Sequence, residues 1–121
     1  MCLILFAHQM HGAYRLVVGA NRDEFHGRPT VPAAWWEDAP GVLAGRDLQG
    51  GGTWMGITRG GRFAAVTNIR TPGVELVGAP SRGALVANFL QGDDSPEAYL
   101  AQIAPEADRF NGFNLLVGNE R

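Results

Sequence analysis

The sequence contains no lysine, a single cysteine and no long apolar run, and each of these absences excludes a class of protein. All ten Lys/Arg positions are arginine and the formal net charge is −2, which argues against a surface for nucleic acid. With Cys2 alone, the chain cannot form an internal disulfide, so nothing indicates secretion. The apolar run 2–7 is too short for a transmembrane helix and lacks the basic flank of a signal peptide. We therefore expect a cytoplasmic protein with no transmembrane segment and no nucleic-acid partner.

The sequence also lacks the motifs of phosphate-binding loops and of metal centres. The glycine-rich segment 45–54 (GRDLQGGGTW) has neither Gly-Lys-Ser/Thr nor the spacing Gly-x-Gly-x-x-Gly, and it predicts a tight turn instead. His8 and His11 lie three residues apart with Met10 between them, so they could bind a metal or a haem iron. No cysteine or acidic residue completes a ligand set there, so we predict no metal site and no resident cofactor.

What the sequence does contain predicts a single domain over residues 1–121, mixed in class, with hairpins that favour antiparallel sheets. The predicted strands are residues 2–7, 15–20, 42–44, 53–58, 62–69 and 113–117. One helix is predicted from a cap at Ser81 to about Leu90, and a second helix is predicted to begin at residues 95–97. The run 2–7 is apolar at every position, which is typical of a strand covered on both faces. Gly60 and Gly61 lie between two predicted strands and would supply the positive φ angles that a tight hairpin needs.

Local signals predict how the helices begin and end. Ser81 is expected to cap the first helix, Gly92 to end it, and the segment 95–97 (Ser-Pro-Glu) to open the second helix. At helical spacing, the residues expected to be buried are Leu85, Phe89, Leu90, Tyr99, Leu100 and Ile103. The proline-containing segment 26–41 predicts a long ordered loop, which the tryptophan pair 35–36 would anchor.

Cys2 is the first candidate for chemistry, because removal of Met1 would make it the N-terminal residue. The initiator methionine is normally trimmed when the next residue is small, as cysteine is. The thiol and a free α-amine would then belong to one residue, and an amine with a pKa of about 7.7–8.0 is partly neutral at cellular pH. That amine could take the thiol proton and act as the nucleophile's own base. The alternative is a small apolar residue buried at the start of a strand.

The polar run Asn21-Arg22-Asp23-Glu24 follows an apolar predicted strand and is the second candidate. On an extended backbone Arg22 and Glu24 share one face, and Asn21 and Asp23 share the other. If the first two strands pair, one of these faces lies beside Cys2. An arginine there would favour the thiolate, and an aspartate would orient the ammonium group. The alternative is a strand end held by salt bridges.

A third candidate is the polar pair Thr67-Asn68, which closes an otherwise apolar strand. The Asn68 side chain could donate a hydrogen bond to an oxyanion that forms during nucleophilic attack. An asparagine that caps a turn is the alternative explanation.

Taken together, these segments form an ordered pattern: MCLILFA, ANRDEFHGRPT, the tryptophan pair, AGRDLQGGGTWMGIT, GRFAAVTNIR, SRGALVANFL and FNGFNLLV. The pattern resembles the NRDE family, which is named for the Asn-Arg-Asp-Glu run and is also called the transport and Golgi organisation family. The resemblance covers nearly the whole chain and corresponds to the N-terminal half of family members, so we expect later strands to be missing. It implies an α+β fold like that of N-terminal-nucleophile hydrolases, with two antiparallel sheets between helical layers (αββα).

In the cysteine branch of those hydrolases, which cleaves amides, an arginine and an aspartate follow the second strand. Arg22 and Asp23 lie in about that place, although they are adjacent rather than separated by two residues. The resemblance therefore implies an enzyme in which Cys2 attacks a carbon–nitrogen amide bond of a small substrate. Arg22 and Asp23 would hold the amine and the thiolate, and Asn68 would stabilise the oxyanion. The further residues expected to bind substrate are Asn21, Glu24, Arg46, Trp54 and Arg70.

The resemblance leaves two other functions open. Eukaryotic family members are linked to secretory organisation, lipid metabolism and haem trafficking, so the chain could be a carrier that binds haem or lipid between its sheets. Arginines would then hold the propionates, and His8, Met10 or His11 would lie near the iron. The third alternative is a structural or interaction partner without an active site. An unfinished sheet would leave an exposed edge at which a second copy could pair to form a homo-oligomer.

Overall fold

Two antiparallel sheets and two α-helices make up the computed structural model, which describes residues 2–120. The strands are β1 (Leu3–His11), β2 (Tyr14–Asn21), β3 (Thr30–Trp35), β4 (Val42–Asp47), β5 (Met55–Thr58), β6 (Phe63–Asn68) and β7 (Phe113–Gly118). The smaller sheet pairs β1 with β2, and the larger sheet has the order β3-β4-β5-β6-β7 with all neighbours antiparallel. The predicted α+β class and both predicted hairpins are confirmed.

The helices are α1 (Gly83–Gln91) and α2 (Pro96–Ile103), and a 3₁₀ helix follows at Ala104–Arg109. Ser95 caps α2 as predicted, because its hydroxyl accepts a hydrogen bond from the Ala98 N–H at 3.1 Å. The prediction that Ser81 caps the first helix is wrong. The helix begins at Gly83, one residue later than a Ser81 cap implies, and its cap residue Arg82 makes no side-chain cap hydrogen bond.

The main core lies between α1 and one face of the larger sheet. Leu85, Phe89 and Leu90 are all buried as predicted, and Phe89 and Leu90 pack with Ala64 and Val66 of β6. A Cβ at residue 56 would come within 2.7 Å of the Leu90 side chain, so glycine at that position lets the helix lie close to the sheet. This packing fixes the position of the N-terminal end of α1, which is part of the candidate site.

The second helix packs on the first through Tyr99. The Tyr99 ring lies 5.2 Å from the Phe89 ring between centroids, and its hydroxyl donates a hydrogen bond of 2.6 Å to the Leu85 carbonyl oxygen. Ile103 is partly buried against the same core, but Leu100 is 43% exposed. The prediction that Leu100 is buried is therefore wrong. The side of α2 that contacts the core contains Tyr99 and Ile103 and does not include Leu100.

The smaller sheet lies over the opposite face of the larger sheet. Strand alternation turns Ala65 and Thr67 of β6 away from α1, and they line a cavity together with Ile4 and Phe6 of β1. The order of layers is therefore helices, larger sheet, smaller sheet. This arrangement is consistent with the expected αββα fold, of which residues 2–120 provide three layers.

The prediction that the first strand is covered on both faces is wrong for the described residues. Leu3 and Leu5 point to the outer face of the smaller sheet, where 51% and 65% of their surfaces are exposed. Val17 of β2 lies on the same face and is also exposed. In β1 the uninterrupted apolar run therefore forms one face that lies against the larger sheet and one apolar face that is exposed to solvent.

The segment predicted as a long loop contains strand β3, an edge strand of the larger sheet. Its pairing with β4 shifts register between Val31 and Ala34, and Pro32 lies inside that shift. A proline has no N–H to give to a ladder, so it is tolerated at an edge and at an irregularity. Its partner β4 extends to Asp47, three residues beyond the predicted end.

Only one member of the tryptophan pair anchors this segment. Trp36 is buried and donates its indole N–H to the Ala44 carbonyl oxygen at 3.2 Å. Trp35 is 44% exposed, and the Arg59 guanidinium stacks over its ring at 3.7 Å from the centroid.

The turn between β5 and β6 follows the glycine signal with one difference. Gly61 has a φ of +84°, whereas Gly60 does not have a positive φ. The Gly61 N–H bonds to the Thr58 carbonyl oxygen at 3.1 Å, and the Thr58 N–H bonds to the Arg62 carbonyl oxygen at 2.9 Å. This is a three-residue hairpin loop that ends in a left-handed glycine, so only one of the two glycines needs a positive φ.

Candidate active site

The candidate site forms where the first strand begins and the second strand ends. Antiparallel pairing places Leu3 opposite Asn21, so Cys2 and the polar run 22–24 leave the sheet side by side. The Asp23 backbone N–H donates a hydrogen bond of 3.3 Å to Cys2 Sγ, and the Asp23 carbonyl oxygen lies 3.8 Å from the same sulfur. The hairpin register therefore holds the thiol against the polar run, which is the juxtaposition expected if the two strands pair.

The thiol opens into a cavity of about 330 Å³, called the Cys2 cavity below. Four parts of the chain form most of its walls: the two ends of the first hairpin, the glycine-rich segment before β5, the end of β6, and the N-terminal end of α1. Six of the predicted site residues line it, namely Cys2, Arg22, Asp23, Glu24, Trp54 and Asn68. The structure thus brings together a thiol, charged groups and an amide side chain around one cavity.

Ion pairs stiffen one wall of the Cys2 cavity. Arg22 Nη2 lies 3.4 Å from Glu24 Oε2, as expected of two side chains on one face of an extended chain. Arg28 donates two hydrogen bonds to Asp47, at 3.0 and 2.6 Å, and lies 3.9 Å from Glu24. The hydrogen bonds from Arg28 hold the pKa of the Asp47 carboxyl below its usual range, and the same contact raises the pKa of Arg28. The Asp47 carboxylate is therefore charged at neutral pH.

The Asp23 side chain lines the Cys2 cavity together with the thiol and adds a negative charge to it. The positive charge of the amino terminus lowers the pKa of the Asp23 carboxyl and the charge of Arg70 adds to this effect, whereas desolvation opposes it. An aspartate in this position can hold an ammonium group beside Cys2. The predicted removal of Met1 concerns a residue outside the described range, 2–120.

Asn68 reaches the Cys2 cavity because it ends β6 on the face that turns toward α1. Its neighbour Thr67 points the other way, and the Thr67 hydroxyl accepts a hydrogen bond from Asn114 Nδ2 at 3.2 Å. The predicted strand 53–58 includes Trp54, but in the structure Trp54 lies just before β5. Its carbonyl oxygen accepts the Val66 N–H at 2.9 Å, which fixes the indole as a wall of the cavity.

Three predicted substrate contacts do not line the Cys2 cavity. Arg46 donates hydrogen bonds to Asp38 at 2.6 Å and to the Gly51 carbonyl oxygen at 3.1 Å, and it stacks over Trp36. It lines a neighbouring, mostly apolar groove of about 420 Å³ on the β3–β5 face of the larger sheet. These contacts give Arg46 a role in holding the loop before β5.

Asn21 and Arg70 are the other two predicted substrate contacts that do not line the Cys2 cavity. Asn21 is the last residue of β2 and pairs with Leu3, so it belongs to the sheet itself. Arg70 lies over the Phe25 ring, 5.7 Å from its centroid, near enough to Asp23 to lower the pKa of that carboxyl. Arg70 therefore acts on the cavity by its charge at a distance.

Sequence reasoning missed several residues of the Cys2 cavity, among them Arg28, Asp47, Thr53, Ser81, Arg82 and Asn111. The glycine-rich segment explains how they come together. A Cβ at residue 52 would lie 2.4 Å from the Gly83 carbonyl carbon, so two glycines allow the loop and the start of α1 to touch. The signal was present as glycines in both segments, but a local pattern does not say which distant segment a loop will contact.

The structure also bears on the metal, haem and membrane expectations. Within residues 2–120, no group of three or more His, Cys, Asp and Glu side chains could hold a metal ion. His8 lines a cavity of about 530 Å³ between the two sheets, called the intersheet cavity, whereas Met10 and His11 are not among its lining residues. No helix in the described part of the chain is long and apolar enough to cross a membrane.

Comparison with known proteins places the sequence among named relatives. The family model described as Transport and Golgi organisation 2 matches residues 1–121. The Transport and Golgi organization protein 2 homologs of Bos taurus and Homo sapiens are 40% and 39% identical over 126 residues, which cover 98% of this chain. The Drosophila melanogaster protein Transport and Golgi organization protein 2 is 30% identical over 131 residues, or 96% of this chain. The chain spans 45% of the length of each of these relatives.

Proposed function

The chain belongs to the Transport and Golgi organisation 2 family, and we propose that it is an amide hydrolase in which the Cys2 thiol is the nucleophile. The observation that carries the proposal is the 3.3 Å hydrogen bond from the Asp23 N–H to Cys2 Sγ inside the Cys2 cavity. A hydrogen bond to sulfur stabilises the thiolate, which is the reactive form. We place the reaction in the cytoplasm, where a single thiol stays reduced.

The first half of the reaction begins after hydrolytic removal of Met1. The neutral α-amine of Cys2 accepts the thiol proton, and the sulfur attacks the carbonyl carbon of a bound amide, forming a C–S bond. The negative charge moves to the carbonyl oxygen, where the Asn68 side-chain amide donates a hydrogen bond to it. The Asp23 carboxylate holds the resulting ammonium group in place. That ammonium then protonates the amide nitrogen, the C–N bond breaks, and the amine product leaves.

The second half regenerates the thiol. A water molecule attacks the thioester carbonyl carbon and gives one proton to the Cys2 amine. The C–S bond breaks, the carboxylic acid leaves, and the proton returns to sulfur. Each step uses groups of the cavity and one water, so the reaction needs no metal or organic cofactor to balance.

The test compares wild-type protein with Cys2→Ala on neutral and anionic N-acyl p-nitroanilides, with release of p-nitroaniline as the readout. Intact mass first establishes that the sample lacks Met1. We expect turnover with at least one probe and a loss of more than about 1000-fold in Cys2→Ala, because the nucleophile is gone. Equal activity in the two proteins would contradict the proposal.

A second candidate function, binding of haem or lipid without catalysis, is favoured by the intersheet cavity. Its volume of about 530 Å³ is in the range of small-molecule sites, and most of its exposed lining is apolar. Both His8 and Arg15 line it, so an iron ligand and a cation for a propionate are available. Hemin titration should then give a saturable Soret change that Cys2→Ala keeps and His8→Ala loses. A linear, unsaturable change would remove this function.

A further inference from the structure

We propose that Arg82 makes the Cys2 cavity selective for ligands that carry a carboxylate, so that the substrate is an anionic amide. The proposal rests on the proposed function only in taking this cavity as the substrate site. It is carried by the pattern of charge pairing around the cavity, in which one arginine differs from the others.

The other charged side chains that line the cavity are matched. Arg28 is held by two hydrogen bonds to Asp47, and Arg22 lies 3.4 Å from Glu24. The Asp23 carboxylate is matched by the positive amino terminus and by the charge of Arg70. These charges largely cancel in pairs and leave little net field for a ligand.

Arg82 is the exception. Its side chain is partly buried and lines the Cys2 cavity beside Ser81 and Gly83. Its Nη1 donates a hydrogen bond of 2.8 Å to the Gly112 carbonyl oxygen. Within residues 2–120, no carboxylate oxygen lies within 4 Å of its guanidinium group, and the acidic side chains that act on it, Glu75 and more weakly Glu24, do so from farther away.

The surroundings of Arg82 make an anionic ligand favourable. Burial lowers the pKa of the guanidinium, an effect that Glu75 opposes and Arg70 reinforces, yet an arginine stays protonated at neutral pH. A desolvated cation without an anion gains more from a bound carboxylate than an exposed one does. The bond to Gly112 fixes one edge of the planar group, and its other N–H donors match the two oxygens of a carboxylate.

The position of the cavity relative to the thiol gives this cation a role in selectivity. Cys2 and Arg82 both line the same cavity of about 330 Å³, so a small molecule bound there has the sulfur and the guanidinium on the walls around it. A carboxylate held by Arg82 would orient the rest of the ligand toward Sγ. Arg82 would therefore bind substrate and take no part in the bond changes.

The experiment uses the single thiol of the chain and needs no knowledge of the natural substrate. Iodoacetate and iodoacetamide alkylate cysteine in the same way, since the thiolate displaces iodide and a C–S bond forms, but only iodoacetate carries a carboxylate. Because Cys2 is the only cysteine, the two rates report on this cavity alone. The quantity measured is the ratio of the iodoacetate rate to the iodoacetamide rate at low ionic strength, by intact mass.

We expect the ratio for the wild-type protein to exceed that for N-acetylcysteine by at least about threefold, because a focused positive charge raises the encounter rate of anions. Arg82→Met should lower the ratio by about threefold or more while the iodoacetamide rate stays the same. Arg82→Lys should give an intermediate ratio, since it keeps the charge and loses the planar fork. The matched control is Arg59→Met, which removes the same charge at an exposed stack on Trp35, outside the cavity, and should leave the ratio unchanged.

An unchanged ratio in Arg82→Met, or an equal fall in both rates, would overturn the proposal. If Arg82→Met does not fold, protection of the wild-type protein decides the question. Benzoate should slow alkylation by iodoacetamide and benzamide should not, at matched ionic strength, and equal protection by the two would again overturn the proposal. The ratio does not depend on turnover, so a protein that cleaves no amide can still show anion selectivity, and an active hydrolase can lack it.

Discussion

At the scale of single residues, the polar side chains of the candidate site divide into those that hold the structure and those that take part in the proposed reaction. Arg28 and Asp47 make two short hydrogen bonds and belong to the first group. Cys2, Asp23 and Asn68 belong to the second, because they meet across the Cys2 cavity. The two groups should respond differently to substitution, the first in stability and the second in catalysis.

Asp47→Asn tests the structural group. The Asp47 carboxylate is mostly buried and accepts two charged hydrogen bonds, so we expect its loss to lower the free energy of unfolding by about 2 kcal/mol. The control is Asp38→Asn. The Asp38 carboxylate pairs with Arg46 but is exposed, so its loss should lower the free energy of unfolding by less than about 1 kcal/mol. Urea denaturation at pH 7 measures both, and equal losses would contradict the distinction.

The same pair has a defined pH dependence. Because Arg28 lowers the pKa of Asp47 in the folded protein, its contribution to stability is fully present above the unfolded-state pKa of about 3.9. The contribution is lost as the pH falls through the lower pKa of the folded protein. The stability difference between wild type and Asp47→Asn should therefore be constant above about pH 5 and shrink below about pH 4. Urea denaturation of both proteins across this pH range measures the stability difference. A difference that stays constant below pH 4 would show that the contact is not ionic.

Asn68→Ala tests the catalytic group. If the Asn68 amide stabilises the oxyanion, its removal should lower kcat by about 100-fold to 1000-fold with little change in KM. Thr67→Val is the control, because Thr67 is adjacent in sequence but bonds to Asn114 on the other face of β6. Steady-state kinetics with a cleaved N-acyl p-nitroanilide gives both constants. An unchanged kcat in Asn68→Ala would remove this residue from the mechanism.

At the scale of elements, the site depends on a close contact between the glycine-rich segment and the start of α1. The Thr53 N–H bonds to the Gly83 carbonyl oxygen at 3.4 Å, and the missing side chains of Gly52 and Gly83 make room for that approach. The contact places Arg82 and Ser81 at the cavity. The glycines thus have a packing role between two elements that are distant in sequence.

Gly52→Ala tests that contact. The added methyl would lie 2.4 Å from a backbone carbon, and backbone cannot rotate away as a side chain can, so we expect a loss of about 2 kcal/mol or more in the free energy of unfolding. Gly41→Ala is the matched control, because nothing lies within 4 Å of a Cβ at that position. Thermal unfolding by circular dichroism compares the two, and a Gly52→Ala protein as stable as Gly41→Ala would show that the contact is not needed.

Elements with strong local signals could be predicted from the sequence, and elements that depend on distant partners could not. The Ser95 cap and the turn at Gly61 are set by neighbouring residues, and both formed as local rules require. Strand β3 was missed because Pro32 and its neighbours carry loop signals, and only pairing with β4 makes the segment a strand. For the same reason Cys2 and Asp23 could be predicted as site residues, because a hairpin between neighbouring strands brings them together. Arg82 could not be predicted, because tertiary packing of a distant segment brings it to the cavity.

At the scale of the whole molecule, buried area is concentrated on one side of the larger sheet. The strands under α1 contain buried residues such as Ala64 and Val66, while the described residues of the smaller sheet are half-buried or exposed. Phe89→Ala should therefore cost about 3–5 kcal/mol, whereas Leu5→Gln should change the free energy of unfolding by less than about 0.5 kcal/mol. Urea denaturation of the two variants measures these changes. Equal losses in the free energy of unfolding would contradict the unequal distribution of buried area.

This distribution also predicts local stability. Amide hydrogens of β5 and β6 should exchange only on global unfolding, whereas those of β1 and β2 should exchange through a smaller opening. Hydrogen exchange followed by mass spectrometry would resolve the two classes. Uniform protection in both sheets would show that the smaller sheet is held more firmly than its exposure suggests. The Cys2 cavity lies at the boundary between the two regions, since the thiol comes from one sheet and Asn68 from the other.

The irregular tip of the first hairpin has a consequence for how this protein can vary. The pairing of β1 with β2 is regular from Leu3 to His8, and the shift in register is confined to the stretch between His8 and His11. An insertion at that tip would be absorbed where the ladder is already broken. One residue removed from the regular part would slide Cys2 past Asp23 and turn alternate side chains to the opposite face. The tip is therefore the place where length can drift over evolution, or where a tag can be grafted, while the distance from thiol to polar run stays fixed.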